Sequence, residues 1–302
     1  PLEPNLQFLG TEFGLYVSID GSKTWTKWTS GFPTVSTMDL KIHPREHDLV
    51  IGTFGRAAYI LDDIRALREM AASNEDLMKK RLHFFEPPMA VLAINRQASG
   101  TRFEANAIFS GQNRKRGAML TFVYNPGKKK TEGKKEKDLG SKKDNAKEKK
   151  EKVKLEALNS DGKIIRTVKY DVEPGVNRIY WDLRRKGVRS PNAPKPKPDA
   201  KEPGGPAVLP GEYTVRLSHG KESASQIVNV ITDPRVGIVV RNIENLQPIY
   251  KQQMLLTSKV TEAMDRIRQS KSTVAAINKM LDVKKHESHK AIQKKGKQSQ
   301  IV

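Results

Sequence analysis

Over residues 6–63, and again over 83–232, the chain is written as short apolar runs such as "LQFLGT", "DLVIGTF", "AAYILDD" and "AMLTFVYN", separated by Gly, Pro, Asn and Asp. Runs of that length at about ten-residue spacing suit antiparallel strands and leave no room for long helices. Beyond residue 243 the period changes. Val260, Ile267, Val274 and Leu281 recur every seven residues, with Met264 and Ile277 at intermediate positions. That spacing keeps one apolar face along a helix. A mainly β chain ending in a helical segment is therefore expected.

Within the β regions the alternation assigns faces. In "NRIYWDL", Ile179, Trp181 and Leu183 alternate with Tyr180 and Asp182; in "GEYTVRL", Tyr213, Val215 and Leu217 alternate with Thr214 and Arg216. Period two means one face buried and one wet. "KLEALNSDGKIIRTVKYDV" reads as a hairpin around Asp161-Gly162. Residues 64–82 lack Gly and Pro and read as a linker helix with Leu67, Met70, Leu77 and Met78 on one side, ended by "FFEPPM". For the final segment a helical hairpin or a docked helix is favoured over a long coiled coil, because Ser270 and Lys271 interrupt the seam. Pro248 lies near its start, and the Lys-rich tail after it is expected to fray.

At 302 residues the chain is long enough for more than one core. It has no Cys, which removes thiol catalysis, Cys-ligated zinc and disulfides together. His43 with His47, and His286 with His289, are each without an evident third ligand, so no metal is expected. No apolar run approaches the roughly 18–20 residues of a spanning helix. The net charge of +21 is unevenly spread: residues 128–154 hold thirteen Lys against six acidic residues, a net of +7, with no Arg and no aromatic residue. Without a ring for base stacking this run reads as a disordered insertion, and nucleic acid is not an expected partner. The seven prolines of "SPNAPKPKPDAKEPGGPAVLP" mark an extended loop. A start at Pro1 in mid-pattern suggests a piece of a larger protein.

Chemistry is sparsely encoded. Asp62 and Asp63 are adjacent carboxylates in an apolar setting, but neighbours on a strand point to opposite faces, so they suit glycoside hydrolysis only if the chain bends there. One of them is expected to cap the helix at "DDIRAL". Arg56 and Tyr59 alone do not make a sialidase-type set; Ser30 and "FSG" lack a nucleophile elbow; "GTFGRA" is no dinucleotide fingerprint. No catalytic residue and no cofactor is expected.

One stretch carries a resemblance. "SIDGSKTW" at 18–25 resembles the Asp-box, S-x-D-x-G-x-T-W, of the bacterial neuraminidase repeat found in sialidase, sortilin-like and glycosidase propellers. Ser18, Asp20, Thr24 and Trp25 match, and Ser22 stands where the family usually has Gly. The resemblance implies a structural role, with the Asp tied to turn backbone and Trp25 buried between neighbouring sectors. "TMDLKIHPREHDLVIGTFGRAAYILDDIRAL" is similar to the closing strands of such propellers in large bacterial cell-envelope proteins; the likeness covers about the first 68 residues. "PGVNRIYWDLR" and "LPGEYTVRL" resemble immunoglobulin-like modules of bacterial surface proteins.

The expected order is thus the last blade or blades of a β-propeller over 1–63, a linker helix over 64–82, and an immunoglobulin-like β-sandwich over 83–240. The sandwich carries the Lys-rich insertion 127–154 and the Pro-rich loop 190–210, and a helical segment with a basic tail follows over 241–302. One four-stranded blade cannot cover both its faces, so the rest of the propeller is an expected partner. The resemblance further implies a noncatalytic role in protein or glycan recognition and scaffolding, at the cell surface, outside the cell or in the periplasm of a bacterium, within an envelope assembly. The alternative is part of a glycoside hydrolase whose active site lies on other blades.

Overall fold

The computed structural model describes residues 2–73, 76–94, 114–127, 151–197, 200–237 and 240–298. The chain is mainly β with a long C-terminal helix. It divides into two compact units: Pro1–Lys186 with Pro206–Glu244, and Gly187–Gly205 with Asn245–Val302.

The first unit opens with two small antiparallel sheets. Strands β1 (Gln7–Thr11), β2 (Gly14–Ser18) and β3 (Thr26–Lys27) form one; β4 (Thr37–Ile42), β5 (Leu49–Thr53) and β6 (Ala58–Leu61) form the other. Where the last blade or blades of a propeller are expected, residues 1–63 form two three-stranded sheets. The first sheet ends with β3 at Lys27, and the chain restarts as a strand at Thr37, past Pro33. The sheets meet over one core: Leu15 comes from the first, Leu49 and Ile51 from the second, and Phe32 and Ile64 close it. They approach closely where Gly10 faces Thr37, since a Cβ on Gly10 would lie 2.7 Å from Thr37 Cγ2.

Next come α1 (Arg65–Ala72) and α2 (Asp76–Lys79), then β7 (Leu82–Phe84), β8 (Ala90–Leu92) and β9 (Ala118–Tyr124). The expected linker helix is two short helices packed on a sheet: Ala66, Met70 and Leu77 share a buried cluster with Phe85 and Val123, while Met78 is exposed. After β9 follow β10 (Glu151–Leu158), β11 (Ile164–Val172), β12 (Gly175–Trp181), β13 (Arg184–Lys186), β14 (Gly204–Ala207), β15 (Gly211–His219) and β16 (Glu222–Thr232). They build a five-stranded sheet, β11-β10-β15-β16-β8, and a three-stranded one, β12-β9-β7; β13 pairs with β14. Every pairing in the two larger sheets is antiparallel except β16 with β8.

These two sheets share the largest core. Leu120, Phe122 and Trp181 of the three-stranded sheet face Leu155, Val215 and Leu217 of the five-stranded one. The alternation in "NRIYWDL" and "GEYTVRL" is realised residue by residue: Ile179, Trp181, Leu183, Tyr213, Val215 and Leu217 are all buried. Strand β9 is buried on both faces, one on this core and the other on α1 and α2. The Asp161-Gly162 hairpin joins β10 and β11. Of the Lys-rich run, 128–150 lie outside the described residues, whereas Glu151–Lys154 belong to β10, where Val153 packs into the core. In the Pro-rich stretch, residues 204–207 form β14 and Val208 is fully buried.

α3 (Val240–Gln298), which supplies most of the second unit, is one helix of 59 residues rather than a helical hairpin; of the Lys-rich tail, residues 299–302 lie outside the described residues. From 249 to 295 there is no Gly or Pro to break it. Pro248 sits inside the helix. The segment 187–205 is fastened to its middle: Arg189 pairs with Asp265 and lends its carbonyl to the Thr261 hydroxyl, and Arg268 reaches the Ala193 carbonyl.

Candidate functional site

Of the residues singled out in "SIDGSKTW", Ser18 ends β2, and Asp20, Thr24 and Trp25 lie in the seven-residue loop 19–25 between β2 and β3. Ser18 Oγ donates to Asp20 Oδ1 at 2.7 Å and accepts the Ser22 N–H at 2.9 Å. Thr24 donates to the same carboxylate twice, from its backbone N–H to Oδ1 at 2.9 Å and from its hydroxyl to Oδ2 at 2.6 Å. The Thr24 hydroxyl, the Thr24 N–H and Ser18 together hold the Asp20 carboxyl down to about 2. Both Gly21 (φ +72°) and Ser22 (φ +73°) are left-handed, which is the conformational reason for glycine at the second position in Asp-box families. Both carboxylate oxygens of Asp20 are used inside the loop.

Trp25 does not join this network. It is 38% exposed and outside the core, whereas Trp28 packs against the core between the two small sheets. The reason is the brevity of β3. Trp25 precedes the strand in the loop, while Trp28 follows it with its N–H on the Leu15 carbonyl at 2.8 Å and its indole on the Ser30 carbonyl.

Asp62 and Asp63 lie just past the end of β6, at a bend where Asp63 takes φ +48°. The chain thus does turn there, yet the two are no catalytic pair. Asp63 is buried and its carboxylate is filled by the Arg65 guanidinium, at 2.7 and 3.2 Å, and by the Arg65 N–H. It does the work expected of a cap from one residue early, since the N-cap position of α1 is Ile64. Burial pushes the Asp62 carboxyl up, with Arg114 and Arg178 opposing. Arg178 of β12 locks the bend: it donates to the carbonyls of Asp62 and Asp63, at 2.7 and 3.1 Å, and to Thr121 Oγ1 at 3.2 Å. Beside it, His47 Nδ1 meets the Arg68 guanidinium at 2.8 Å; burial and that cation pull the imidazole down, so it accepts as the neutral ring. His43 Nδ1 takes the Glu46 N–H. Among the described residues no group of three His, Asp or Glu side chains is arranged to hold a metal ion.

Two further clusters escape sequence reasoning because their members are far apart in the chain. Tyr124, His219 and Glu151 meet at one end of the core, with His219 Nε2 3.3 Å from the Tyr124 hydroxyl and 3.2 Å from Glu151 Oε2. Both partners use the same ring nitrogen, so the trio is not a relay, which needs both nitrogens of the base. Burial raises the Tyr124 hydroxyl above its ordinary range. A cleft of about 600 Å³ is lined by Arg114, Lys115, Arg116 and Arg235 together with Glu46 and Asp233. Its strongest carboxylate is already engaged: Asp233 accepts from Arg235 and from the Ile94 N–H. No single short motif announces either cluster. Arg56 lies on the turn before β6 and is exposed; Tyr59, partly buried, packs edge-on to Phe32 at 4.9 Å against the core. No helix among the described residues is long and apolar enough to cross a membrane. No protein-family model, curated protein or solved structure matches the chain.

Proposed function

We propose that this chain is a noncatalytic recognition and scaffolding part of a propeller-type protein of the bacterial cell envelope. Residues 1–63 would be two adjoining propeller sectors, and 82–232 an immunoglobulin-like module braced against them. One observation carries the proposal: within 1–63 the side chains of Leu9, Phe13, Trp25, Met38, Phe54 and Ile60 are all exposed. In a propeller each sector is covered by the next, and exposed apolar side chains of this kind are what such a neighbour would cover. Trp25 then stands where the neighbouring sector would meet it. The Asp20 network supports a structural role for the box, since both carboxylate oxygens bond within the loop. The envelope placement rests on the resemblance of the box alone.

The immunoglobulin-like reading is supported by strand order. In such folds strands A, B and E form one sheet, and G, F and C form the other, with C′ added beyond C in variable-type domains. Here β7-β9-β12 correspond to A-B-E, and β16-β15-β10-β11 to G-F-C-C′, with β8 continuing A as a parallel neighbour of G. Tyr213, near the start of β15, donates its hydroxyl to the Leu209 carbonyl four residues upstream at 2.8 Å, as a tyrosine corner does. Two residues on, where antibody domains carry a cysteine, Val215 is fully buried.

The test is the native mass of the protein purified from its own cells, followed by assay on a panel of nitrophenyl glycosides. Recovery within a larger polypeptide or complex, with no hydrolysis, is expected. A free monomer of 33.9 kDa would overturn the scaffold reading. Hydrolysis by the recovered protein would favour a glycosidase instead.

A further inference from the structure

The seam of α3 is open to solvent. Val260, Ile267, Val274 and Leu281 are 43%, 61%, 55% and 52% exposed, and Leu256 and Ile277, on the same side of the helix, are exposed as well. In heptad terms the first four are a positions and Leu256 and Ile277 are d positions, with the small residues Ala263 and Ser270 at the two d positions between them. From Leu256 to Leu281 the stripe is about 38 Å long at 1.5 Å per residue. The 187–205 segment does not cover it: Thr261 and Asp265, which hold that segment, are b and f positions on the other side of the helix. The positions flanking the seam, e and g, carry Lys259, Arg266, Lys271 and Lys285, and from 257 to 285 none of them is acidic.

We propose that this seam is the docking site for an acidic amphipathic helix of a partner protein. The apolar stripe takes the partner's a and d side chains, and the basic flanks pair with Glu or Asp at its e and g positions, which is how coiled coils choose partners. A second copy of this chain fits the charges badly. A parallel pair sets Arg266 against Lys271 of the other copy twice, an antiparallel pair gains no opposite-charge contact along the flanks, and each chain brings a net charge of +21. The Lys-rich run 128–154 is itself basic and offers no match. The inference rests on the recognition reading only in taking the partner to be a protein; it needs neither the propeller nor the envelope.

Two synthetic 28-residue peptides test it, both with Ile at a and Leu at d, one with Glu and the other with Lys at every e and g position. Each is labelled and titrated with the whole chain by fluorescence anisotropy. The Glu peptide is expected to bind at least about tenfold more tightly than the Lys peptide and to weaken as salt rises. The double variant Ile267→Asp, Val274→Asp should lose that binding about tenfold or more with its near-ultraviolet circular dichroism unchanged. Arg266→Glu with Lys271→Glu should shift preference toward the Lys peptide and, because it leaves the apolar stripe intact, separates charge selection from loss of fold. Equal binding of both peptides, no binding of either, or Glu-peptide binding that survives Ile267→Asp, Val274→Asp would each overturn the proposal. So would sedimentation showing the unliganded chain dimeric through this seam. None of these results bears on the native mass that tests the scaffold role.

Discussion

At the scale of the residue, the Asp20 loop couples a charge to a backbone conformation. The Asp20 carboxyl titrates at about 2 when folded against an ordinary 3.8, so the unfolded chain takes up the proton first. Its contribution is complete above about pH 4 and is lost as the pH falls through about 2. Asp20→Asn is expected to flatten the pH dependence of stability across that window, read from denaturant unfolding of both proteins. Ser22 is a separate case. It is held at φ +73° and its N–H bonds to Ser18, while its hydroxyl bonds to Gln7. Ser22→Gly and Ser22→Ala both remove the hydroxyl, so their difference isolates the backbone: the Gly variant should be about 1–2 kcal/mol more stable than the Ala variant. Equal melting of the two would mean that the loop relaxes out of the left-handed region.

Between elements, the decisive contacts are single polar residues and one close approach. Arg178 ties β12 to the bend after β6 through two carbonyls. Arg178→Ala removes both donors at once and is expected to cost about 2–3 kcal/mol of unfolding free energy, with Arg178→Lys recovering part of it. Equilibrium denaturation of the three proteins measures this, and no change on Arg178→Ala would mean that water replaces the guanidinium. On the other side of the three-stranded sheet's register, Gly117 enters β9 at φ +111°, with a Cβ position only 2.1 Å from the Trp181 carbonyl. Gly117→Ala combines a forbidden conformation with a backbone clash and should cost about 3 kcal/mol or more, seen as a fall in melting temperature or loss of soluble protein.

For the whole molecule, the division into two units makes a prediction of its own. Every member of the largest core lies between Phe84 and Val230, and none belongs to α3. A chain ending at Glu244 should therefore keep the near-ultraviolet circular dichroism of Trp181 packed edge-on to Tyr213, whose ring centroids are 5.5 Å apart, and melt in one cooperative step. Loss of that signal would mean that α3 is needed to fold the β unit. The same division explains why the helix can carry a solvent-exposed apolar stripe: the β core is complete without it.

The alternation along β12 and β15 was enough to place Ile179, Trp181, Tyr213 and Val215 inward, and the seven-residue recurrence was enough for a helix with one apolar side. These are local properties, set by side-chain spacing against the backbone repeat, and Asp20 with Thr24 four residues on is local too. Period two states which side of a strand is buried but not what it is buried against. That is why the packing of residues 1–63 as two sheets across the Leu15 and Leu49 core, the layer of short helices on β9, and the inner place of Trp28 rather than Trp25 came only from the tertiary structure. The absence of breakers along 249–295 was visible, but whether the helix folded back depended on a partner surface that spacing does not describe. Arg178 with Asp62, and Tyr124 with His219, are 116 and 95 residues apart. Bringing them together required loop closures whose outcome depends on the packing of whole sheets, and only the tertiary structure decided it.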